Sequence, residues 1–146
     1  MASRLRIRPV QEKELERVIE VWKKAGLPYR PRGRDSRANL RRQRRLAPDL
    51  FLGAYVDGRL VGVSIASDDG RRGWINRLAV VPEARRTKVG TSLVKASENA
   101  LRKRGRRLFC VMIEKGNEAS MELFQKTGYS RQEHIVYYAK RPVEGY

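Results

Sequence analysis

The residues best placed by type and spacing to do chemistry are Arg85, Arg86, Thr87, Lys88, Val89, Gly90 and Thr91. They lie between a strand-like run ending in Val81-Pro82 and the start of a helical pattern. The orphan N–H groups at a helix N-terminus, with the positive end of the helix dipole, attract anions for ~0.3–1 kcal/mol from the dipole alone. Arg85, Arg86 and Lys88 add formal positive charge. A pyrophosphate fits such a segment, and so does an ordinary basic loop that caps a helix. Other chemistries fail on the residues: there is no G-x-x-x-x-G-K-[ST] phosphate loop, and Gly62-Val63-Ser64-Ile65-Ala66 matches the G-x-S-x-G elbow only in part. His134 and Cys110 are the lone members of their types, so no metal-ligand cluster can be built around them. A single histidine before a final strand reads as structural or exposed, and Cys110, within an apolar strand, reads as core.

The 146-residue length predicts one domain, residues 1–146, with enough chain to bury a single core. With 40% hydrophobic and 34% charged residues the composition is that of a polar globular protein. The longest apolar stretches, Phe51 to Val56 and Leu78 to Val81, fall far short of the ~20 residues that cross a bilayer, and the start MASRLRIR has no apolar signal core. With one cysteine there is no internal disulfide, and the expectation is a cytoplasmic protein without membrane or metal. The formal charge of +17 favours anionic partners. It is patterned: Arg30 to Arg45 holds eight arginines and one aspartate, a net +7, and Arg102 to Arg107 holds five bases. An Arg-rich solvated surface is the competing explanation.

These residues need elements to position them. Leu5, Ile7 and Val10 read as a first strand, and Leu15, Val18, Ile19 and Trp22 as a helix that Gly26 ends. Pro28, Pro31 and Gly33 break structure before Ser36 caps a second, basic helix through Arg45. Asp57-Gly58 accepts the positive φ of a type I′ turn, which makes residues 50–67 a hairpin. Trp74 to Val81 alternates as a strand, Val89 to Leu101 follows helical spacing until Gly105, and Leu108 to Ile113 reads as a strand. A strand, helix, strand crossover of this kind requires the two strands to lie parallel. Asn117 caps a last helix carrying Leu123 and Phe124, Gly128 ends it, and Ile135 to Lys140 reads as a closing strand.

Two segments, LAVVPEARRTKVGTSLV and then Asn117 to Tyr129 (NEASMELFQKTGY), resemble the GNAT superfamily of acyl-CoA-dependent N-acyltransferases. The first is similar to a strand ending in V-x-P followed by a Q/R-x-x-G-x-G/A loop, and the second to N-x-x-A-x-x-L-Y-x-x-x-G-F/Y. The resemblance covers essentially the whole chain. It implies an α/β (α+β) fold: a mixed, mostly antiparallel sheet of about six to seven strands, about four helices and one splayed parallel strand pair. It implies acetyl-CoA as co-substrate and no metal. Leu78, Ala79 and Val80 would pair with the cofactor arm. Arg85, Arg86, Thr87, Lys88, Val89, Gly90 and Thr91 would hold the pyrophosphate, Asn117 would bond the arm, and Phe124 would sit near the sulfur.

The departures from that pattern matter equally. Lys88 replaces the usual first glycine, so the backbone must take an ordinary φ there. Phe124 stands where many members carry a proton-donating tyrosine, and Met112 where some carry a glutamate base. The remaining groups for proton transfer are Glu114, Tyr129, Tyr137 and Tyr138, with Asp68 and Asp69 more remote; Glu114 and Tyr138 are the expected pair. The function so implied is transfer of acetyl from acetyl-CoA to a primary amine, a possibly acidic acceptor given the Arg30 to Arg45 patch. The alternative is a nucleic-acid-binding module on the same scaffold, contacting phosphates through Arg30 to Arg45. A monomer and a homodimer both fit the sequence.

Overall fold

The computed structural model describes residues 4–144 and 146. Its elements run β1 (Leu5–Pro9), α1 (Leu15–Ala25), α2 (Arg37–Leu46), β2 (Phe51–Val56), β3 (Arg59–Asp68), β4 (Gly73–Val80), α3 (Val89–Lys103), β5 (Phe109–Val111) and α4 (Glu118–Lys126). The expected stop and start signals act where they stand. Gly26 ends α1 at φ 74°, and Ser36 Oγ accepts from Asn39 N at 3.2 Å to cap α2. Asp57 (φ 50°) and Gly58 (φ 82°) are both left-handed, as a type I′ hairpin turn requires.

The five strands form one sheet in chain order, antiparallel except for the parallel pair β4 and β5. This is the expected mixed α/β architecture with four α-helices, but among the described residues the six to seven strands expected are five. Ile135 to Lys140 is not a closing strand: among the described residues it makes no ladder, because its run of strand-favouring side chains is only a local preference and a strand needs a neighbouring edge to bond to. The parallel pair is short as well, since β5 spans Phe109–Val111 and not Leu108 to Ile113.

The main core lies between β1 to β4 and helices α1 to α3, around Trp22, Leu40, Phe51, Val63 and Leu93. A second cluster, Ile75, Val94 and Phe124, joins β4, α3 and α4. Two strand glycines set the height of α3 above the sheet. A Cβ on Gly62 would lie 2.9 Å from Leu93 Cδ1 and 3.1 Å from Val89 Cγ1, and one on Gly73 only 2.5 Å from Leu101 Cδ1. The first and last turns of α3 are thereby seated directly on β3 and β4. Gly73→Ala should lose about 1–3 kcal/mol by overpacking, read as a lower urea midpoint with an unchanged slope.

Candidate active site

The parallel ladder consists of three pairs, Gly73↔Phe109, Trp74↔Cys110 and Ile75↔Val111, and then the strands part. The cause is visible in β4. Its register with β3 passes from Ile75↔Ala66 to Arg77↔Ile65, so Asn76 is an extra residue, a β-bulge. Beyond it Val81 N donates to Val61 O at 3.0 Å, which with the antiparallel register turns the peptide groups of Arg77, Ala79 and Val81 toward β3. Those of Leu78 and Val80 therefore face away from β3, into the opening left by β5. The same bulge breaks the strict alternation expected along Trp74 to Val81, since Ile75 and Leu78 now share the Phe124 cluster.

The expected anion-binding segment stands beside this opening. Helix α3 begins at Val89 after Lys88, whose φ of −79° is the ordinary value its side chain requires. The left-handed position of the loop is Arg86, at φ 61°. Thr87 Oγ1 donates to Ala84 O at 2.6 Å and accepts from Val89 N at 3.3 Å, so the loop is tied to the first turn. The N–H groups of Gly90 and Thr91 follow in that turn, with no intrahelical acceptor. Arg86 and Lys88 are exposed at its mouth. Arg85 is engaged elsewhere: its Nη2 donates to Ala25 O at 3.0 Å and its Nε to Val80 O at 3.3 Å, fastening the end of β4 to the end of α1. Gly90 is buried against α4, where a Cβ would lie 3.1 Å from Leu123 Cδ2, so it sets helix spacing while offering its N–H.

Across the opening, Asn117 caps α4 through Oδ1, which accepts from Ser120 N at 3.2 Å. Its amide N–H₂ makes no side-chain hydrogen bond among the described residues. Phe124 is 3% exposed and meets Tyr129 edge to face, 5.0 Å between centroids, with Leu78, Val111 and Ile113 around it. These apolar side chains, the outward N–H groups of β4 and the cationic helix start fit the amide-bearing arm and pyrophosphate of acetyl-CoA.

The proton-transfer candidates separate. Tyr129 donates to Glu98 Oε2 at 2.7 Å on the α3 side, and burial together with that carboxylate pushes its pKa far above the ordinary tyrosine value. Glu114 is exposed just past β5. Tyr137 and Tyr138 are exposed in the segment after α4, Tyr138 to 88%, and the chain does not bring them to the opening. Asp68 pairs with Arg106 at 3.2 Å, and Asp69 accepts from Arg71 N, Arg72 N and Trp74 Nε1. Those hydrogen bonds hold Asp69 at a pKa of about 2.

Two polar clusters escaped the sequence reading. Glu14, buried at the start of α1, accepts from Arg8 at 3.0 Å, Gln11 N at 3.0 Å and Tyr55 Oη at 3.0 Å. Burial raises its pKa, but the Arg8, Gln11 and Tyr55 bonds outweigh that and leave it lowered. Arg77 lies over the Trp22 ring at 4.5 Å and 3.7 Å from buried Asp35. Its only signal was a polar Asn76-Arg77 pair inside an apolar strand. Asp49 and Glu16 are also lowered, chiefly by hydrogen bonds from Arg104 and Arg37. A carboxylate whose folded pKa is depressed stabilises the fold above its unfolded pKa and loses that contribution as pH falls through the folded value. The melting temperature should therefore be flat above about pH 5 and fall between about pH 4 and 2, as Asp69 and its fellows protonate.

Part of the Arg30 to Arg45 patch is internal scaffolding. Arg37 pairs with Glu16, Arg45 with Glu12 at 3.0 Å, and Arg44 Nε donates to Val10 O at 2.7 Å, pinning α2 on α1 and β1. Arg32, Arg34 and Arg42 are exposed. No helix among the described residues is long and apolar enough to cross a membrane.

Residues 15–129 match the family described as acetyltransferase (GNAT) family. An acetyltransferase of Sodalis glossinidius is 31% identical over 140 residues, covering 96% of this chain and 97% of its own. One from Yersinia enterocolitica is 31% identical over 132 residues, 90% of this chain and 92% of its own. Among solved structures, the PaiA N-acetyltransferase of Thermoplasma acidophilum in complex with coenzyme A superposes with a TM-score of 0.78 at 22% identity, over 90% of this chain and 93% of its own. An aminoglycoside N-acetyltransferase in complex with coenzyme A gives 0.76 at 22% identity, over 97% of both chains.

Proposed function

Because the chain belongs to the acetyltransferase (GNAT) family, acetyl-CoA-dependent N-acetyltransferases, we propose that it acetylates a primary amine by direct attack in a ternary complex, within a single domain of residues 1–146. The observation that carries this reading is the bulge at Asn76, beyond which the N–H groups of Leu78 and Val80 face away from β3, beside the start of α3. Acetyl-CoA supplies the acetyl group as a thioester. Arg86, Thr87, Lys88, Val89, Gly90 and Thr91 hold its pyrophosphate, while Arg85 holds the end of β4 and so positions the strand. The N–H groups of Leu78 and Val80, with Ala79 keeping the strand on β3, bond the arm and take the negative charge that builds on the carbonyl oxygen. Asn117 donates to the arm and Phe124 walls off the sulfur.

The amine must lose a proton and the departing thiolate gain one, and Phe124 can donate none. A thiol near the ~8.5 of free cysteine leaves tolerably without general-acid help, so positioning carries most of the rate. Glu114, exposed past the end of β5, receives the amine's proton through water, and its replacement by glutamine should lower kcat with little change in acetyl-CoA affinity. Calorimetric titration with acetyl-CoA, followed by thiol release over a panel of amines, tests the whole reading. Absence of acetyl-CoA binding would overturn it.

The exposed Arg32, Arg34 and Arg42 favour an acceptor amine that carries anionic groups over a polycation. Changing these three to glutamate should lower kcat/KM for an acidic acceptor about 10-fold at low salt and much less at high salt, leaving acetyl-CoA affinity in place. Equal wild-type rates on acidic and basic acceptors would remove this preference.

A further inference from the structure

We propose that the far end of α3 and the turn between β3 and β4 form one face that binds the phosphodiester backbone of single-stranded nucleic acid, a site separate from the acetyl-CoA opening. The two loops make a single surface. Gly105, at φ 92°, reverses the chain after α3, and Arg106 N donates to Leu101 O at 3.0 Å, which folds Arg106 and Arg107 back beside the helix end. Arg106 then reaches across to the turn: its Nη1 donates to Gly70 O and its Nε lies 3.2 Å from Asp68 Oδ1. Residues 71–72 and 102–107 so bring seven bases together. Complementing the α3 dipole needs only the cations of its last turn, Arg102 and Lys103. The aspartates beside these bases are spent on the fold. Asp49 accepts from Arg104 Nε and Nη2 at 2.9 and 2.7 Å, Asp68 takes Arg106, and Asp69 accepts from Arg71 N, Arg72 N and Trp74 Nε1. The exposed side chains of Arg71, Arg72, Lys103 and Arg107 therefore pair with no carboxylate among the described residues.

Arg102, Gly105, Arg106, Arg107 and Phe109 line a cleft of about 560 Å³ on this face. Its one aromatic ring, Phe109, is half-buried, and Arg102 Cζ lies 5.0 Å from the ring centroid. Arginine and aromatic side chains stack unpaired bases with little regard to sequence, because every base has a π-face. The cleft is open to solvent, whereas a site for a free nucleotide buries most of its ligand. A strand needs only one base in the cleft while the neighbouring phosphates lie on the exposed cations. An acidic peptide would bring carboxylates but no flat base to fill it. Along the fifteen residues of α3 this face stands roughly 20 Å from the helix start, so strand and acetyl-CoA do not compete for one set of cations.

Fluorescence anisotropy of a labelled strand of about 12 nucleotides, titrated with the full chain, tests this; it is run with RNA and with DNA, the tighter of the two naming the strand the site takes. With four phosphates neutralised, raising salt from about 50 to 200 mM should weaken binding about 50-fold, and in R71Q/R107Q, with two, only about 7-fold. At the lower salt R71Q/R107Q should bind at least about 10-fold more weakly than wild type, with acetyl-CoA affinity unchanged. The control R17Q/K24Q removes the same charge from exposed positions of α1 and should stay within about twofold of wild type. Equal losses in the two variants would mean that the charge of the whole molecule, and not this face, does the binding. That result, tighter binding of a duplex of the same length than of either strand, or displacement of the strand by acetyl-CoA or by polyglutamate as readily as by unlabelled strand, would each overturn the proposal.

Discussion

Phe124→Ala is expected to lower stability by about 3–5 kcal/mol, a fall of roughly 6–20 °C in melting temperature for a chain of this length. The ring is buried at the junction of three elements, with Ile75 of β4, Val94 of α3 and its edge-to-face partner Tyr129. Removing it leaves a cavity that β4 cannot collapse into, because the bulge and the β3 ladder fix that strand. Tyr129 is held from its other end by Glu98, so it cannot follow either. Phe124→Leu, which keeps most of the volume, should lose less than half as much. On the proposed placement of the cofactor arm beside Leu78, which packs against this ring, acetyl-CoA affinity should fall in the alanine variant even at temperatures where it is folded. A melting temperature within a degree of wild type would mean that the ring does not join β4, α3 and α4.

That cluster also shows what the sequence could and could not announce. Asp57-Gly58, Ser36, Gly26 and Asn117 act through their own backbone within a few residues, so the turn and caps they predict are present. The crossover from β4 through α3 to β5 was legible because helical and strand periods differ sharply there. The bulge at Asn76 was not: one extra residue changes which N–H groups face the opening while leaving the apolar pattern nearly intact. Arg85 shows a second limit. Its place in the motif suggests an anion contact, yet its guanidinium is spent on Ala25 O and Val80 O, acceptors 60 and 5 residues away. The closing strand failed for a third reason, since a strand is a relation between two edges and Ile135 to Lys140 records only one of them. The Glu14, Arg8 and Tyr55 network is likewise a meeting of distant residues, each unremarked alone.

The double charge reversal R86E/K88E should weaken acetyl-CoA about 100-fold, near 2.8 kcal/mol, at low salt. Both side chains are exposed and lie at the mouth of the α3 start, where Gly90 and Thr91 present N–H groups. Two cations become two anions facing a doubly charged pyrophosphate, so attraction is replaced by repulsion, and the helix dipole alone is too small to offset it. Salt distinguishes this from a fold defect. Screening shortens from ~10 Å at 0.1 M to ~3 Å at 1 M, so the affinity gap between variant and wild type should narrow severalfold across that range. Thermal stability should stay close to wild type, since neither side chain takes part in the loop's internal ties, which run through Thr87 and Arg85. Gly90→Asp is a poorer probe: its new side chain would enter the contact with Leu123 and confound binding with packing. Titration calorimetry on R86E/K88E at two salt concentrations, with the melting temperature as control, decides the point. Unchanged affinity in a folded variant would move the pyrophosphate off this helix start and, with it, the arm away from Leu78 and Val80.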